Sequence, residues 1–115
     1  MTESTIKELA DLLASGKSSS VELCQDYLAR ISARNPDINA FITVDAERTL
    51  AEARAADALR KAGQAGPLTG VPIAHKDIFC AEGWLTTCGS KMLHNFVSPY
   101  DAHVISQFHG AGMPC

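Results

Sequence analysis

Residues 70–79, GVPIAHKDIF, form an apolar run of β-forming residues that carries a lysine and an aspartate near its end. In an extended chain successive side chains point to opposite faces. Pro72, Ala74, Lys76 and Ile78 therefore share one row, and Val71, Ile73, His75 and Asp77 share the other. Lys76 projects among apolar neighbours, and two readings of it are open. Burial disfavours the ammonium form and lowers its pKa, which makes a lysine a general base near neutral pH. Alternatively, its stem lies along apolar surface while its head stays in water.

The flanking segments predict an α/β chain. Thr5-x-x-Glu8 and Ser19-x-x-Glu22 fit the capping box, in which a hydroxyl and a carboxylate satisfy free N–H groups at a helix start. Behind the first, Ile6, Leu9 and Leu13 share a face and Gly16 supplies a stop. Behind the second, Val21, Cys24, Leu28 and Ile31 recur at helical spacing until Asn35-Pro36, the expected end. Residues 38–44, INAFITV, change to a period of two and predict a strand. Asp45 caps an alanine-rich helix over 46–62 that Gly63 closes. Residues 63–67 form a turn, 70–79 a second strand and 80–100 a long ordered loop. A last helix runs from an Asp101 cap to Gly110. This order implies a layered α/β architecture with a crossover.

Composition excludes several function classes. The net charge is -3 and the ten Lys and Arg are dispersed, so no basic stripe exists to neutralise phosphates. The apolar runs fall far short of the roughly 20 residues that span a bilayer, and the N-terminus lacks the order of a leader. A soluble, cytoplasmic chain without membrane contact is expected. Cys24, Cys80, Cys88 and Cys115 form no C-x-x-C pair and are expected as reduced thiols.

Four apparent motifs have simpler explanations. Ser4-x-x-Lys7 matches a β-lactamase signature, but no S-D-N or K-T-G follows and the match lies at a helix start. Ser18, Ser19 and Ser20 also sit at a helix start, where hydroxyls cap. His75, Asp77 and Cys80 lack the spacing of a zinc site, and His103 and His109 stand about 240° apart on a helix and are expected at the surface.

GVPIAHKDIF, followed by TTCGSKML and SPYDAHVISQFHGAGM, resembles the amino-terminal part of the amidase signature family. The GSKML and SPYDA segments are most similar to the glutamine-hydrolysing A subunits of the tRNA-dependent amidotransferases, as are SGKSSSVELCQDYLARI and INAFITV. The resemblance implies a mixed sheet covered by helices, incomplete here. Residues 1–115 are expected to be the amino-terminal segment of one amidase domain, ending before the family's Gly/Ser-rich motif.

The resemblance places Lys76 at the lysine of a Ser-cisSer-Lys triad, whose two serines belong to that later motif. The serine attacks an amide carbonyl, and the lysine, through the bridging serine, takes a proton and returns it to the leaving ammonia. Implied partners are amidotransferase subunits B and C, glutamine and, through the complex, misacylated tRNA. ATP and Mg serve the parent complex, and no cofactor or metal is expected on this segment. A stand-alone amidase and a non-catalytic truncated segment are the alternative readings. Asp77 is expected to bond backbone amides as the loop begins. Residues 86–90, TTCGS, offer Thr87, Gly89 and Ser90 either as pocket-lining groups or as plain turn chemistry.

Overall fold

The structure is a computed structural model that describes residues 3–115. It contains four α-helices, α1 (Ile6–Ala14), α2 (Ser20–Ile38), α3 (Ala46–Lys61) and α4 (His103–Gly110), and a 3-10 turn at Lys91–Leu93. The chain divides into two compact units. The first comprises the described part of Met1–Ile73 with Ala111–Cys115, and the second is Ala74–Gly110.

Local signals build the first unit. Thr5 and Ser19 both form complete capping boxes, with Glu8 and Glu22 reaching back to the cap amides. Leu9 and Leu13 turn into the core, whereas Ile6, expected on the same face, is exposed. Helix α2 packs on α3, whose buried face is made of Thr49, Ala53 and Ala56. Small side chains there let the two backbones approach. Leu23 and Cys24 fill the α2 side. Asp57 of α3 accepts hydrogen bonds from the amides of Ser20 (2.8 Å) and Val21 (3.2 Å), a second cap on α2 supplied by its neighbour.

Two expectations fail around Pro36. Helix α2 does not end at Asn35-Pro36 but continues to Ile38, where Asn39 terminates it in a left-handed conformation (φ 51°) and donates its amide to Asn35. The Asn35 side chain then clasps Phe41 in both directions, accepting from its amide at 2.8 Å and donating to its carbonyl at 3.0 Å. This clasp folds 39–41 back on the helix end. The predicted strand over 38–44 is therefore absent, and Ile38, Ile42 and Val44 are exposed.

The predicted strand over 70–79 is likewise not formed as a ladder. Its first half runs alongside the chain end, with the Gly70 amide on the Gly112 carbonyl (2.8 Å) and the Ile73 amide on Pro114 (2.9 Å). The uneven offset breaks regular pairing. Crowding fixes this approach: a Cβ at Gly70 (φ +89°) would stand 3.1 Å from Ser20 Cβ, and one at Gly112 (φ +74°) 3.0 Å from Thr69 Cγ2. Thr69 completes the junction by donating its hydroxyl to Ala111 and accepting the Gly66 amide, while Arg60 donates to the Thr69 carbonyl.

The second unit is a hydrogen-bonded loop closed by α4. Residues 83–86 and 96–98 pair antiparallel through Thr86 to Phe96, Ser98 to Trp84 and Gly83 to Ser98, with one bridge at Leu85 and Val97. The only β pairing among the described residues is that bridge. Helix α4 begins at His103, two residues after the expected Asp101 cap, and buries Ile105. Asp101 instead accepts the Glu82 amide at 2.6 Å and contacts His109 Nδ1 at 3.1 Å.

Candidate active site

Lys76 lies in the second unit, where the chain turns. Although 71–78 lacks a strand ladder, its side chains alternate from Ile73 onward, Pro72 being half-buried like Ile73. Val71 is buried and Ile73, His75 and Asp77 are half-buried, while Ala74, Lys76 and Ile78 are exposed. Lys76 thus stands on the open row. The enclosure by apolar neighbours expected from sequence is not present, because Ala74 and Ile78 are themselves exposed and Pro72 is only half-buried. Among the described residues the Lys76 ammonium makes no hydrogen bond or ion pair. Its backbone is held, however, since the Lys76 carbonyl accepts the Phe79 amide at 3.1 Å.

Asp77 is turned the other way and is fully engaged. One carboxylate oxygen accepts the Thr87 amide at 2.8 Å and the other accepts the Thr87 hydroxyl. The Asp77 carbonyl accepts the Cys88 amide at 2.9 Å. Cys88, in a left-handed conformation (φ 53°), turns the chain. The Gly89 amide donates to Thr87 Oγ1 (3.2 Å) and the Ser90 amide to the Thr87 carbonyl (2.8 Å). Every amide from Thr87 to Ser90 is therefore satisfied inside the turn. The Ser90 hydroxyl accepts the Met92 amide and caps the 3-10 turn. Of the two readings of Thr87, Gly89 and Ser90, the hydrogen bonds follow turn chemistry, and Asp77 is the residue that anchors it.

His75 packs its ring edge-on against Phe108, with centroids 5.8 Å apart and planes at 85°. Among the described residues no group of three or more His, Cys, Asp or Glu side chains is gathered as a metal site would require. The remaining serines and histidines take structural positions. Ser19 caps α2, Ser18 donates to Glu22 and buried Ser20 donates to the Gly70 carbonyl. At the S-x-x-K match the cap is Thr5 rather than Ser4, and Lys7 pairs with Asp11. His103 is exposed as expected, whereas His109 is partly buried because Asp101 holds it.

Sequence spacing carries no sign of the polar anchors between distant segments. Asp57 and Ser20 meet across 37 positions and Asp101 and Glu82 across 19, so no local motif marks them. All four cysteines are free thiols. Burial pushes the Cys24 thiol up to about 11.

Comparison with known proteins places this arrangement in context. The profile of the Amidase family matches residues 22–115. The chain is 68% identical over 114 residues to the A subunit of glutamyl-tRNA(Gln) amidotransferase from Thiobacillus denitrificans, covering 99% of this chain and 24% of that protein. The corresponding protein of Chromobacterium violaceum is 61% identical over 113 residues, covering 98% and 23%. The native peptide amidase of Stenotrophomonas maltophilia superposes with a TM-score of 0.90 at 32% identity, over 97% of this chain and 23% of that one. The chain thus spans about a quarter of the length of the relatives it matches.

Proposed function

Since the chain belongs to the amidase family and carries part of the amidase signature fold, we propose that it is a segment of the glutamine-hydrolysing A subunit of a tRNA-dependent amidotransferase. The observation that carries this reading is the 68% identity over 114 residues to the Thiobacillus amidotransferase protein, against 32% to a peptide amidase of the same fold. That contrast favours the amidotransferase over a stand-alone amidase.

In this reading Lys76 is the proton-transfer base of a Ser-cisSer-Lys triad whose serines lie outside residues 1–115. A serine hydroxyl adds to the side-chain carbonyl of glutamine and forms a C–O bond. Its proton passes through the bridging serine to Lys76 and on to the departing nitrogen, so that ammonia leaves as the C–N bond breaks. Water then releases glutamate from the acyl-enzyme by the reverse proton path. The open row around Lys76 supports this assignment, because a base that must meet a serine from elsewhere cannot be sealed by its own segment.

Subunits B and C would supply ATP- and Mg-dependent activation and tRNA binding, so that ammonia converts Glu-tRNA(Gln), or Asp-tRNA(Asn), to the amidated form for protein biosynthesis in the cytoplasm. The absence of a basic stripe on this segment agrees with tRNA being held by a partner. Among the described residues no helix is long and apolar enough to cross a membrane. The test is ammonia release from glutamine by the full-length protein with subunits B and C, with and without misacylated tRNA. Hydrolysis of peptide amides in preference to glutamine would favour the stand-alone amidase instead.

A further inference from the structure

Lys76 and Asp77 are adjacent and opposite in their engagements. The lysine head is free of partners among the described residues, while the Asp77 carboxylate and carbonyl together take up three donors of the 87–88 turn. We propose that Asp77 is a positioning residue for Lys76, acting through the backbone and through Thr87. The proposal rests on the reading of Lys76 as the proton-transfer base.

The peptide joining the two residues is fenced on both sides. The Lys76 carbonyl is held by the Phe79 amide, and the Asp77 carbonyl by the Cys88 amide. The carboxylate grips the Thr87 amide and hydroxyl at once, and charge-assisted hydrogen bonds of this kind are the stronger sort. Thr87 Oγ1 also accepts the Gly89 amide, so its hydroxyl proton points to Asp77. Direction at the root of a lysine matters because the ammonium rides on a four-carbon stem. A small rotation at the root moves the head by about 1 Å, and such a misplacement costs up to about 100-fold in rate. A carboxylate is required at position 77, since an asparagine in either amide orientation satisfies only one of the two Thr87 donors.

The experiment compares Asp77→Asn, Thr87→Val and Thr87→Ser in the full-length protein, with Asp77→Asn also built on Lys76→Ala. Asp77→Asn and Thr87→Val should lower kcat for glutamine hydrolysis by about 10- to 100-fold with KM little changed. Thr87→Ser, which keeps both donors, should recover most of the rate. On the Lys76→Ala background Asp77→Asn should have no further effect, because the group it positions is gone. The proposal is overturned if the losses only track the folded fraction measured by circular dichroism, if they fall on KM alone, or if Asp77→Asn lowers the residual rate of Lys76→Ala by the same factor. Should Asp77→Asn not fold, Thr87→Val against Thr87→Ser decides by the same criteria. Failure of the underlying reading looks different: Lys76→Ala itself would then keep the wild-type kcat.

Discussion

Ser20 at the start of α2 donates its hydroxyl to the carbonyl of Gly70, 2.8 Å away and fifty positions along the chain. This bond ties the first residue of GVPIAHKDIF to a helix whose own first amides are capped by Asp57. Ser20 is fully buried, so Ser20→Ala strands the Gly70 carbonyl without water, a loss of about 1–3 kcal/mol. Gly70→Ala adds left-handed strain of about 1–2 kcal/mol and contacts at 3.1 and 3.3 Å with Ser20 and Leu13. Urea unfolding should show both losses while kcat per folded molecule stays constant. Loss of activity in Ser20→Ala without loss of stability would give Ser20 a chemical role.

Lys76→Ala should separate catalysis from folding. Removal of a positioned base costs about 10²–10⁴-fold in rate. The side chain is exposed and unpaired among the described residues, so the melting temperature should barely move. Ammonia release and thermal melts on the full-length protein check the two halves of this expectation.

Residues 1–115 expressed alone should release no ammonia from glutamine above background, because Lys76 bonds no serine among the described residues. A glutaminase assay on that chain, run beside the full-length protein, is sufficient. Measurable turnover would show that a second nucleophile lies within the segment.

The helices were legible because their signals are local. Two capping boxes, the Asp45 cap and the alanine-rich run each lie within a few residues, and each stands where expected. Strand assignment over 38–44 and 70–79 failed because a strand needs a partner, which local periodicity cannot supply. At Pro36 the Asn35 clasp on Phe41 overrode the usual stop. The period of two nonetheless holds over 73–78, and it sets Lys76 among the exposed positions. The sequence signals that Asp77 bonds backbone amides, but no local pattern points to a partner ten positions on. The residues around Asp101 suggest only a helix cap, because its link to Glu82 lies outside any local pattern.

The capping boxes predict an acid-sensitive component of stability. Backbone hydrogen bonds from Thr5 and Ser19 lower the pKa of Glu8 and Glu22 below the ordinary value of 4.5. A carboxyl depressed on folding stabilises the fold above its unfolded pKa, and that contribution is lost as pH falls through the folded value. Glu8→Gln and Glu22→Gln should therefore flatten the fall in melting temperature below about pH 4.5 and leave its slope above pH 6 unchanged. An unchanged acid limb in the double variant would remove these caps from the account.

Thiol reactivity should follow exposure. In the 115-residue chain, iodoacetamide at pH 8 should label exposed Cys88 first and spare buried Cys24, whose thiol is pushed up to about 11. Peptide mass mapping over time gives the order. Early labelling of Cys24 would show that the contact between α2 and α3 opens readily.

The amides of residues 87–90 are all spent within their own turn, and this limits how the neighbourhood of Lys76 can serve amide cleavage. When a nucleophile adds to a carbonyl, negative charge collects on the oxygen and must meet preorganised N–H donors. None of these four can turn toward it without breaking the grip of Asp77, the Thr87 hydroxyl or the Thr87 carbonyl. If Lys76 acts as proposed, donors outside this turn must receive the oxyanion, and the segment's share of the reaction is confined to the proton.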